Sequence, residues 1–432
     1  MEKIFQIITL GCKVNRCESD ALDRRLGQAG GRVAGKGEAA DLCVINTCAV
    51  TSKAAMQSRQ AVRRAIRENP GARIVVTGCH AQTEPETIRA IHGVDQIVGY
   101  RGKAALARLL SPDMAAGPGE PEIHFSPLVA GVSGDRTRPF LKIQDGCDAF
   151  CTYCIVPHAR GRSRSMPLES VKVNLAALAA AGYREAVLTG IHLGMYGRDL
   201  SPPVPLIDLL KQIETHPAPD RIRLSSIEPA ELTGDVIGEV ADGARFCPHF
   251  HIPLQSGDDG ILKRMRRPYT AGFFSELVRR IVDRMPDAAI GVDVLIGFPG
   301  ETRRAFENTY AVIDALPVSY LHVFPFSARP GTPAAHYPCL VPAEVIKERC
   351  RRLRALSEEK KARFYRRHVG RVRDVLVETR RDRETGRLKG LTANYIEVQV
   401  DGDDTLMNRL VPVRMVTMDR EMRVTGTVVE SH

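Results

Sequence analysis

The sequence predicts an α/β protein in three parts: an N-terminal domain with a parallel sheet, a central partial (β/α)6 barrel and a small C-terminal β-barrel. Strand-like apolar segments alternate with helical segments over most of the 432 residues, which is typical of parallel sheets covered by helices. One Pro-, Gly- and Ser-rich stretch interrupts this alternation, and from Gly370 onward only short alternating strands remain. The predicted parts are 1–110, a linker at 111–137, 138–368 and 369–432.

The N-terminal domain is predicted from four strand-like segments, each followed by a helical one. Cys12, Cys48 and Cys79 stand at the ends of the first three strands. Because the carboxyl ends of parallel strands share one sheet edge, we expect these cysteines to converge. Three thiolates in place of four indicate a 4Fe-4S cluster with one open iron, and the alternative is three buried apolar residues. The four strands are KIFQIITL, DLCVINT, ARIVVTG and DQIVGY.

The central barrel is predicted from six further strands, with connections long enough for helices. The loop after the first strand contains the spacing C-x3-C-x2-C, at Cys147, Cys151 and Cys154. This compact set of three also indicates a 4Fe-4S cluster with one iron open to a small-molecule ligand. The alternatives are three free thiols or a zinc site completed by His158, although zinc usually takes two separated ligand pairs. The six strands are PFLKIQ, EAVLTG, RIRLSS, HFHIPL, IGVDVLIG and YLHVFPF.

A basic helix starting near Pro342 precedes the C-terminal barrel. Residues 341–390 contain 17 Lys and Arg against 8 Asp and Glu, which is a surplus of nine within a whole-chain excess of ten. Positive charge beside a small β-barrel indicates contact with a nucleic-acid backbone, and a solvated helix face is the alternative. We expect charge and stacking to bind RNA here, through Arg371, Arg373, Arg380, Arg381 and Tyr395.

Composition argues against secreted and membrane classes. The eleven cysteines do not form a small disulfide framework, so a reducing, cytoplasmic compartment is expected. The N-terminal sequence lacks the apolar core and cleavage site of a signal peptide, and no apolar run approaches the roughly 20 residues of a membrane helix. Cys43 and Cys350 are expected in the core, and Cys17 is a candidate spare ligand for the N-terminal cluster.

Taken together, these motifs resemble those of the radical S-adenosylmethionine (SAM) methylthiotransferases over essentially the full chain. That family combines an N-terminal three-cysteine domain, a central SAM barrel and a C-terminal TRAM domain. TLGCKVN and the QSRQAVRRA helix are most similar to the branch that methylthiolates C2 of N6-threonylcarbamoyladenosine at position 37 of tRNA. Sister branches act on isopentenyladenosine in tRNA or on an aspartate of a ribosomal protein. The matching stretches are TLGCKVN, VINTCAVTSKA, VTGCHAQ, QDGCDAFCTYCIVPHARGRSRS, HFHIPLQSGDDGILKRMRRPYT and DVLIGFPGET.

The resemblance implies two 4Fe-4S clusters with different tasks. The cluster on the C-x3-C-x2-C loop would hold SAM and deliver the electron that yields a 5'-deoxyadenosyl radical. The N-terminal cluster would supply or carry sulfur, with the methyl group coming from a second SAM. A radical route suits adenine C2, which has no acidic or electrophilic handle. The implied partners are the anticodon stem-loop of tRNA, a one-electron reductant such as flavodoxin or ferredoxin, and a sulfur donor, with no membrane.

Predicted SAM contacts lie at the carboxyl ends of the barrel strands, where such barrels bind ligands. Arg264, Arg266 and Arg267 could bind either the SAM carboxylate or tRNA phosphate. An alternative function of another class is a non-catalytic RNA-binding protein with structural iron-sulfur clusters. Each cysteine set has only three ligands, whereas a structural cluster gains stability from a fourth, so this alternative is disfavoured. The predicted SAM contacts are Tyr153, Thr189, Gly190, Ser226, Glu228, Gln255, Gly297 and Glu301.

Overall fold

The structure, a computed structural model, describes residues 3–109 and 136–429. The linker predicted at 111–137 lies outside the described residues except for its last two positions. In the described ranges no helix is both long enough and apolar enough to cross a membrane. The described chain forms a parallel N-terminal sheet, a central set of parallel strands and a closed C-terminal barrel, and thus confirms the predicted α/β class.

The N-terminal domain has a single sheet flanked by helices. Its elements are β1 (Lys3–Thr9), α1 (Lys13–Gln28), β2 (Gly31–Val33), β3 (Leu42–Thr47), α2 (Ser52–Glu68), β4 (Arg73–Gly78), α3 (Cys79–Thr83), α4 (Pro85–Arg89), β5 (Gln96–Ile97) and a 3-10 helix (Tyr100–Leu109). The strand order is β2-β1-β3-β4-β5, and every neighbouring pair is parallel. Every residue of β3 is buried, as expected for a central strand covered on both faces. The sequence analysis missed β2, because three residues give no periodic signal.

The central domain contains all six predicted strands as parallel strands. Its elements are β6 (Phe140–Lys142), β7 (Gln144–Asp145), α5 (Val156–Arg160), β8 (Arg164–Ser165), α6 (Leu168–Ala180), β9 (Glu185–Thr189), α7 (Leu206–Thr215), β10 (Arg221–Leu224), α8 (Gly234–Asp242), β11 (His249–Gln255), α9 (Asp259–Arg264), α10 (Ala271–Arg284), β12 (Ala289–Ile296), α11 (Arg303–Ala315) and β13 (Tyr320–Pro325). Two parallel sheets, β10-β9-β6 and β11-β12-β13, are joined by isolated parallel bridges Ile222↔Phe246 and Ser226↔His251. The strands therefore follow the order of a partial barrel.

Four helices of the central domain begin with a side-chain N-cap in the segments that follow the later barrel strands. Thr233, Asp258, Thr270 and Thr302 each accept a hydrogen bond from the backbone N–H three residues ahead, which begins α8, α9, α10 and α11 respectively. Such caps satisfy N–H groups that the first helical turn leaves unpaired. The predicted SAM contacts at these strand ends therefore lie in short loops that are anchored by caps.

A long helix begins immediately after Pro342, as predicted, and the C-terminal barrel follows it. These elements are α12 (Ala343–Arg366), β14 (Val372–Val377), β15 (Leu388–Thr392), β16 (Glu397–Val400), β17 (Leu410–Met418) and β18 (Val424–Val428). Cys350, Leu353 and Leu356 of α12 share one hydrophobic core with the central strands. The five strands form a closed barrel in the order β14-β15-β16-β18-β17. The compact C-terminal β-barrel predicted from the short alternating strands is therefore confirmed.

Candidate functional site

The three N-terminal cysteines lie at neighbouring strand ends, as predicted. Cys12 comes three residues after β1, and Cys48 and Cys79 directly follow β3 and β4. Burial, with smaller contributions from the charges of Cys79 and Cys12, raises the pKa of Cys48 to about 11. Because β1, β3 and β4 are neighbouring parallel strands, their carboxyl ends place the three cysteines at one edge of the sheet.

Two glycines allow these thiols to approach one another. Gly11 has φ +98°, and a Cβ at this position would lie 2.8 Å from the Sγ of Cys48. Gly78 has φ +96°, and a Cβ there would lie 2.4 Å from the carbonyl oxygen of Thr47. Only glycine adopts this backbone conformation at no steric cost and leaves the space open. The glycines that precede Cys12 and Cys79 therefore provide the backbone conformation and the space that the cysteine set needs.

Cys17 does not face the N-terminal set. Its Sγ donates a hydrogen bond to the carbonyl oxygen of Phe140 at 3.3 Å, and it is buried where α1 packs on β6. Burial strongly raises its thiol pKa. The structure therefore gives Cys17 a packing role between two domains. Cys43 and Cys350 are buried apolar residues, as predicted.

The central cysteines lie on a loop that backbone bonds hold in place. The N–H of Cys147 donates to the carbonyl of Gly161 at 3.1 Å, and the N–H of Cys154 donates to the carbonyl of Cys151 at 3.0 Å. Burial, with a further contribution from the charges of Cys151 and Cys147, raises the pKa of Cys154 to about 12. A thiol with a raised pKa stays protonated at neutral pH unless a metal replaces the proton.

Both sets fit an iron-sulfur cluster by the nature of their donors. Three soft sulfur ligands suit iron-sulfur clusters, and the glycines at Gly11 and Gly78 leave the room that thiol convergence needs. His158 does not complete the zinc alternative, because it is exposed and its ring packs edge-on against Phe150 with centroids 5.9 Å apart.

The two cysteine sets lie on elements that pack together. Ala49 and Cys79 share a small apolar cluster with Ile155 and Ala159 of the central loop. Each of these four residues is itself a cysteine of one set or lies within five positions of one. The structure therefore brings the two predicted cluster sites to one junction between the N-terminal and central domains.

A buried arginine joins the same two domains. Arg160, the last residue of α5, is 2% exposed and donates to Glu18 Oε1 at 2.8 Å, Asn15 Oδ1 at 2.5 Å and Asp145 Oδ1 at 3.0 Å. Lys142 also contacts both carboxylates, at 3.2 Å from Glu18 and 2.8 Å from Asp145. This charge network fixes α1, which follows Cys12, against the helix that follows Cys154.

Two polar side chains, Arg267 and His192, contact cysteines of the central loop directly, and each is paired with a glutamate. The Nη1 of Arg267 donates to Cys151 Sγ at 3.2 Å, and the Nη2 of Arg267 pairs with Glu228. The Nδ1 of His192 lies 3.3 Å from Cys147 Sγ, and its Nε2 lies 2.7 Å from Glu231. Sequence reasoning missed His192, although its position two residues beyond the predicted contact Gly190 was an available signal.

The predicted SAM contacts near this loop occupy the expected strand ends. Burial raises the pKa of Glu228, which faces Arg267, and Tyr153 packs among the apolar residues below the loop. Gln255 has φ +65° at an irregularity in the β11–β12 pairing. Thr189, Gly190 and Ser226 lie at the ends of β9 and β10.

Two predicted SAM contacts instead face α12. A Cβ at Gly297 would lie 2.4 Å from the Ile346 side chain. Arg349 donates to the carbonyl oxygen of Glu301 at 3.0 Å and to its Oε1 at 2.5 Å. Both residues therefore help to pack α12 against the central domain. Sequence reasoning did not predict this packing.

The predicted RNA-binding residues take part in contacts within the protein. Arg371 and Arg373 pair with Asp287 of the central domain, and Arg381 pairs with Asp404 at 2.8 Å. Arg380 lines a cavity between the domains. Tyr395 stacks on His249 with centroids 4.3 Å apart, and the Arg223 guanidinium lies 5.1 Å from its ring. Tyr395 is therefore part of the seam between the C-terminal barrel and the central domain.

A histidine-aspartate group on the barrel strands was also missed. Asp293 Oδ1 lies 2.7 Å from His251 Nε2 and 3.2 Å from His322 Nδ1, and these three residues could hold a metal ion. Polar residues inside the apolar strands HFHIPL, GVDVLI and YLHVF were the signal for them. Because both histidines already bond the carboxylate, the group is complete without a metal.

Comparison with known proteins places the chain among enzymes. Residues 4–99 match the uncharacterized protein family UPF0004, and residues 141–313 match the Radical SAM superfamily. The chain is 39% identical over 420 residues to the threonylcarbamoyladenosine tRNA methylthiotransferase MtaB of Bacillus subtilis, covering 94% of this chain and 92% of that protein. It is 37% identical to the enzyme of that name from Aquifex aeolicus, covering 91% and 96%.

A second kind of relative and a solved structure extend the comparison. The tRNA-2-methylthio-N(6)-dimethylallyladenosine synthase of Pelotomaculum thermopropionicum is 33% identical, covering 98% of this chain and 97% of that protein. The radical S-adenosylmethionine methyltransferase TsrM from Kitasatospora setae, solved with cobalamin and a [4Fe-4S] cluster, aligns with a TM-score of 0.58 at 18% identity and covers 77% of each chain. This last likeness concerns the fold alone.

Proposed function

The chain belongs to the radical SAM methylthiotransferases, and we propose that it converts N6-threonylcarbamoyladenosine at position 37 of tRNA to its 2-methylthio derivative. The relatives named for that nucleoside reach 39% identity, against 33% for the relative named for dimethylallyladenosine. The observation that supports the proposal most is the pairing of two three-thiol sets on elements that pack together. Such an arrangement suits an enzyme that activates SAM at one site and inserts sulfur beside it.

The proposed ligands of the two clusters are Cys12, Cys48 and Cys79 in the N-terminal domain, and Cys147, Cys151 and Cys154 in the central domain. When bound, a cluster of this kind supplies electron transfer and an open iron, which SAM would occupy at the central loop. The two sets have different neighbours: only the central loop has Arg267, which donates to Cys151, and His192, which lies beside Cys147.

Arg267 holds the central cysteine loop in position. Arg267 is buried between Cys151 and Glu228, so its guanidinium fixes the loop and the end of β10 relative to each other. We propose that Glu228, together with Thr189, Gly190, Ser226, Gln255 and Tyr153, lines the SAM site. A half-buried carboxylate in that place suits a hydroxyl or amino group of the ligand, because a charged hydrogen bond is stronger than a neutral one.

The proposed substrate, a tRNA anticodon stem-loop, would meet the basic C-terminal part of the chain. Arg380 and Arg381 carry charge on the barrel, and a phosphate backbone attracts such residues without sequence selection. The reaction further requires a one-electron reductant, such as flavodoxin or ferredoxin, and a sulfur donor. We place it in the cytoplasm, where reduced thiols and tRNA coexist.

The direct test is mass spectrometry of tRNA nucleosides from cells with and without the gene. We expect 2-methylthio-N6-threonylcarbamoyladenosine to disappear and its unmethylthiolated precursor to accumulate. Complementation with Cys151→Ser should fail, whereas Cys339→Ser, which changes an exposed cysteine outside both sets, should restore the product. An unchanged amount of the nucleoside would sink the assignment, and loss of a methylthiolated isopentenyladenosine would assign the sister substrate.

A further inference from the structure

A cavity of about 300 Å³ lies where the three parts of the chain meet. Lys13 lines it from the N-terminal domain, Arg223 and Phe140 from the central domain, and Lys389 and Tyr395 from the C-terminal barrel. Sequence reasoning did not predict it, because its walls come from segments more than a hundred residues apart. Because all three parts contribute to its walls, a ligand in this cavity would contact all three parts at once.

The lining of this cavity is strongly cationic. Among the described lining residues Glu378 is the only acid, and Arg138 and Lys389 lie 2.8 Å and 3.8 Å from its carboxylate. Asp20 and Glu185, which lie outside the lining, pair with Arg136 and Arg223, but the lining itself holds more cations than carboxylates, so the cavity favours an oxyanion. The cationic lining residues are Lys13, Arg136, Arg138, Arg223, Arg380 and Lys389.

Lys13 is the most available of these cations. In the described part of the chain it forms no ion pair or hydrogen bond through its ammonium group, and it is solvent-accessible. Arg223, in contrast, is bound to Glu185 at 2.8 Å. Lys13 also directly follows Cys12, so it stands beside the N-terminal cysteine set.

We propose that this cavity binds the carboxylate of the threonylcarbamoyl group on the substrate base, with Lys13 and Lys389 as its cationic contacts. The inference rests on the proposed function. Sulfur insertion at C2 brings the adenine ring to the N-terminal cysteines, and a substituent on N6 of the same ring then lies close to Lys13. Tyr395 in the same wall is 36% exposed, so apolar atoms of its ring remain accessible to the threonyl methyl group.

The same chemistry could come from a backbone phosphate of the RNA, so the test compares three anticodon stem-loops. One contains N6-threonylcarbamoyladenosine, one contains its methyl ester, which lacks the negative charge, and one contains unmodified adenosine. Affinities are measured with the full chain after reconstitution of both clusters. Lys13→Gln should weaken binding of the first RNA about tenfold, as expected for the loss of one charged hydrogen bond, and leave the other two unchanged.

Two further variants keep the test decisive. Lys389 lies far in sequence from every proposed cluster ligand, and Lys389→Gln should show the same selective loss of affinity. This variant therefore tests the proposal even if Lys13→Gln disturbs iron loading. Lys211→Gln, on the exposed face of α7, is the matched control and should bind like the parent. Equal losses on all three RNAs would assign the cations to backbone phosphate, and no loss on any RNA would remove their role; either result overturns the proposal.

The proposed function fails separately from this inference. If the parent enzyme formed no 2-methylthio product on the threonylcarbamoylated RNA, the proposed function itself would be wrong. If the product formed and the lysine variants bound the acid and its ester alike, only the carboxylate site would be wrong.

Discussion

Replacing Arg160 with methionine should loosen the junction between the N-terminal and central domains. The guanidinium donates to Glu18, Asn15 and Asp145, and Arg160 is 2% exposed. Methionine keeps most of the apolar stem that an arginine packs with, so the substitution mainly removes the charge and its three contacts. Removing one partner of a buried ion pair typically costs about 3–5 kcal/mol.

The structure places the expected loss at the lower end of that range, at about 3 kcal/mol. Lys142 stays within 3.2 Å of Glu18 and 2.8 Å of Asp145, so neither carboxylate is left wholly unpaired. Asn15 loses one charged donor, and its own amide still donates to the carbonyls of Leu10 and Thr47. The loss therefore falls on the contact between domains.

Urea unfolding followed by circular dichroism measures the change, since the chain contains no tryptophan. The matched control is Arg184→Met, which removes an exposed pair with Asp220 at 3.1 Å and should cost no more than about 1 kcal/mol. Hydrogen exchange should also speed up in α1 and α5 in the Arg160 variant. If Arg160→Met were as stable as the control variant and its hydrogen exchange were unchanged, Arg160 would not hold the two domains together.

The same junction predicts a pH dependence. Burial alone would raise the pKa of Glu18 and Asp145, but the nearby cations outweigh it and hold both pKa values well below their usual range. Carboxyls with lowered pKa stabilise the fold above about pH 4.5, and this stability is lost as the pH falls below that value. Arg160→Met should therefore flatten the acid limb of the stability curve.

Three further predictions concern other parts of the chain. Burial lowers the pKa of His368 to about 4, so its contribution to stability falls as the pH drops from about 6.5 to 4; His368→Gln should remove about 2.5 kcal/mol of the loss between pH 7 and 4.5, and an unchanged loss would contradict this. Reconstituted Cys48→Ser should contain about four irons and Cys17→Ser about eight, and similar iron contents would refute the ligand assignment. Arg381→Glu should weaken tRNA binding and lower its salt slope by about one, whereas Arg284→Glu should not; parallel behaviour of the two variants would exclude the barrel as the RNA contact.

The part of the site that sequence could predict follows from strand topology. Cys12, Cys48 and Cys79 stand at strand ends, and parallel pairing brings those ends together whatever the loops between them do. The central loop was predictable for a simpler reason, because three cysteines within eight residues form one local motif. Both sites could be located without knowing any side-chain contact.

The remaining parts depend on contacts between distant segments. Arg160 and Glu18 are separated by 142 positions, and nothing in either local sequence indicates the pair. Glu301 was placed by its strand end, but Arg349 on α12 binds its carboxylate. Tyr395 was assigned to RNA because it is the main aromatic of the barrel, yet its ring stacks on His249. Such partners are set by tertiary packing, which single-sequence patterns do not contain.

The position of α12 has a consequence for synthesis on the ribosome. The N-terminal sheet and its apolar residues all lie before residue 110, so this domain can fold while the rest is still being translated. The central core, in contrast, includes Leu353 and Leu356, so its apolar strands stay exposed until that helix has emerged. More than two hundred residues, from Leu141 to Leu356, must therefore be synthesised before the central core can be complete.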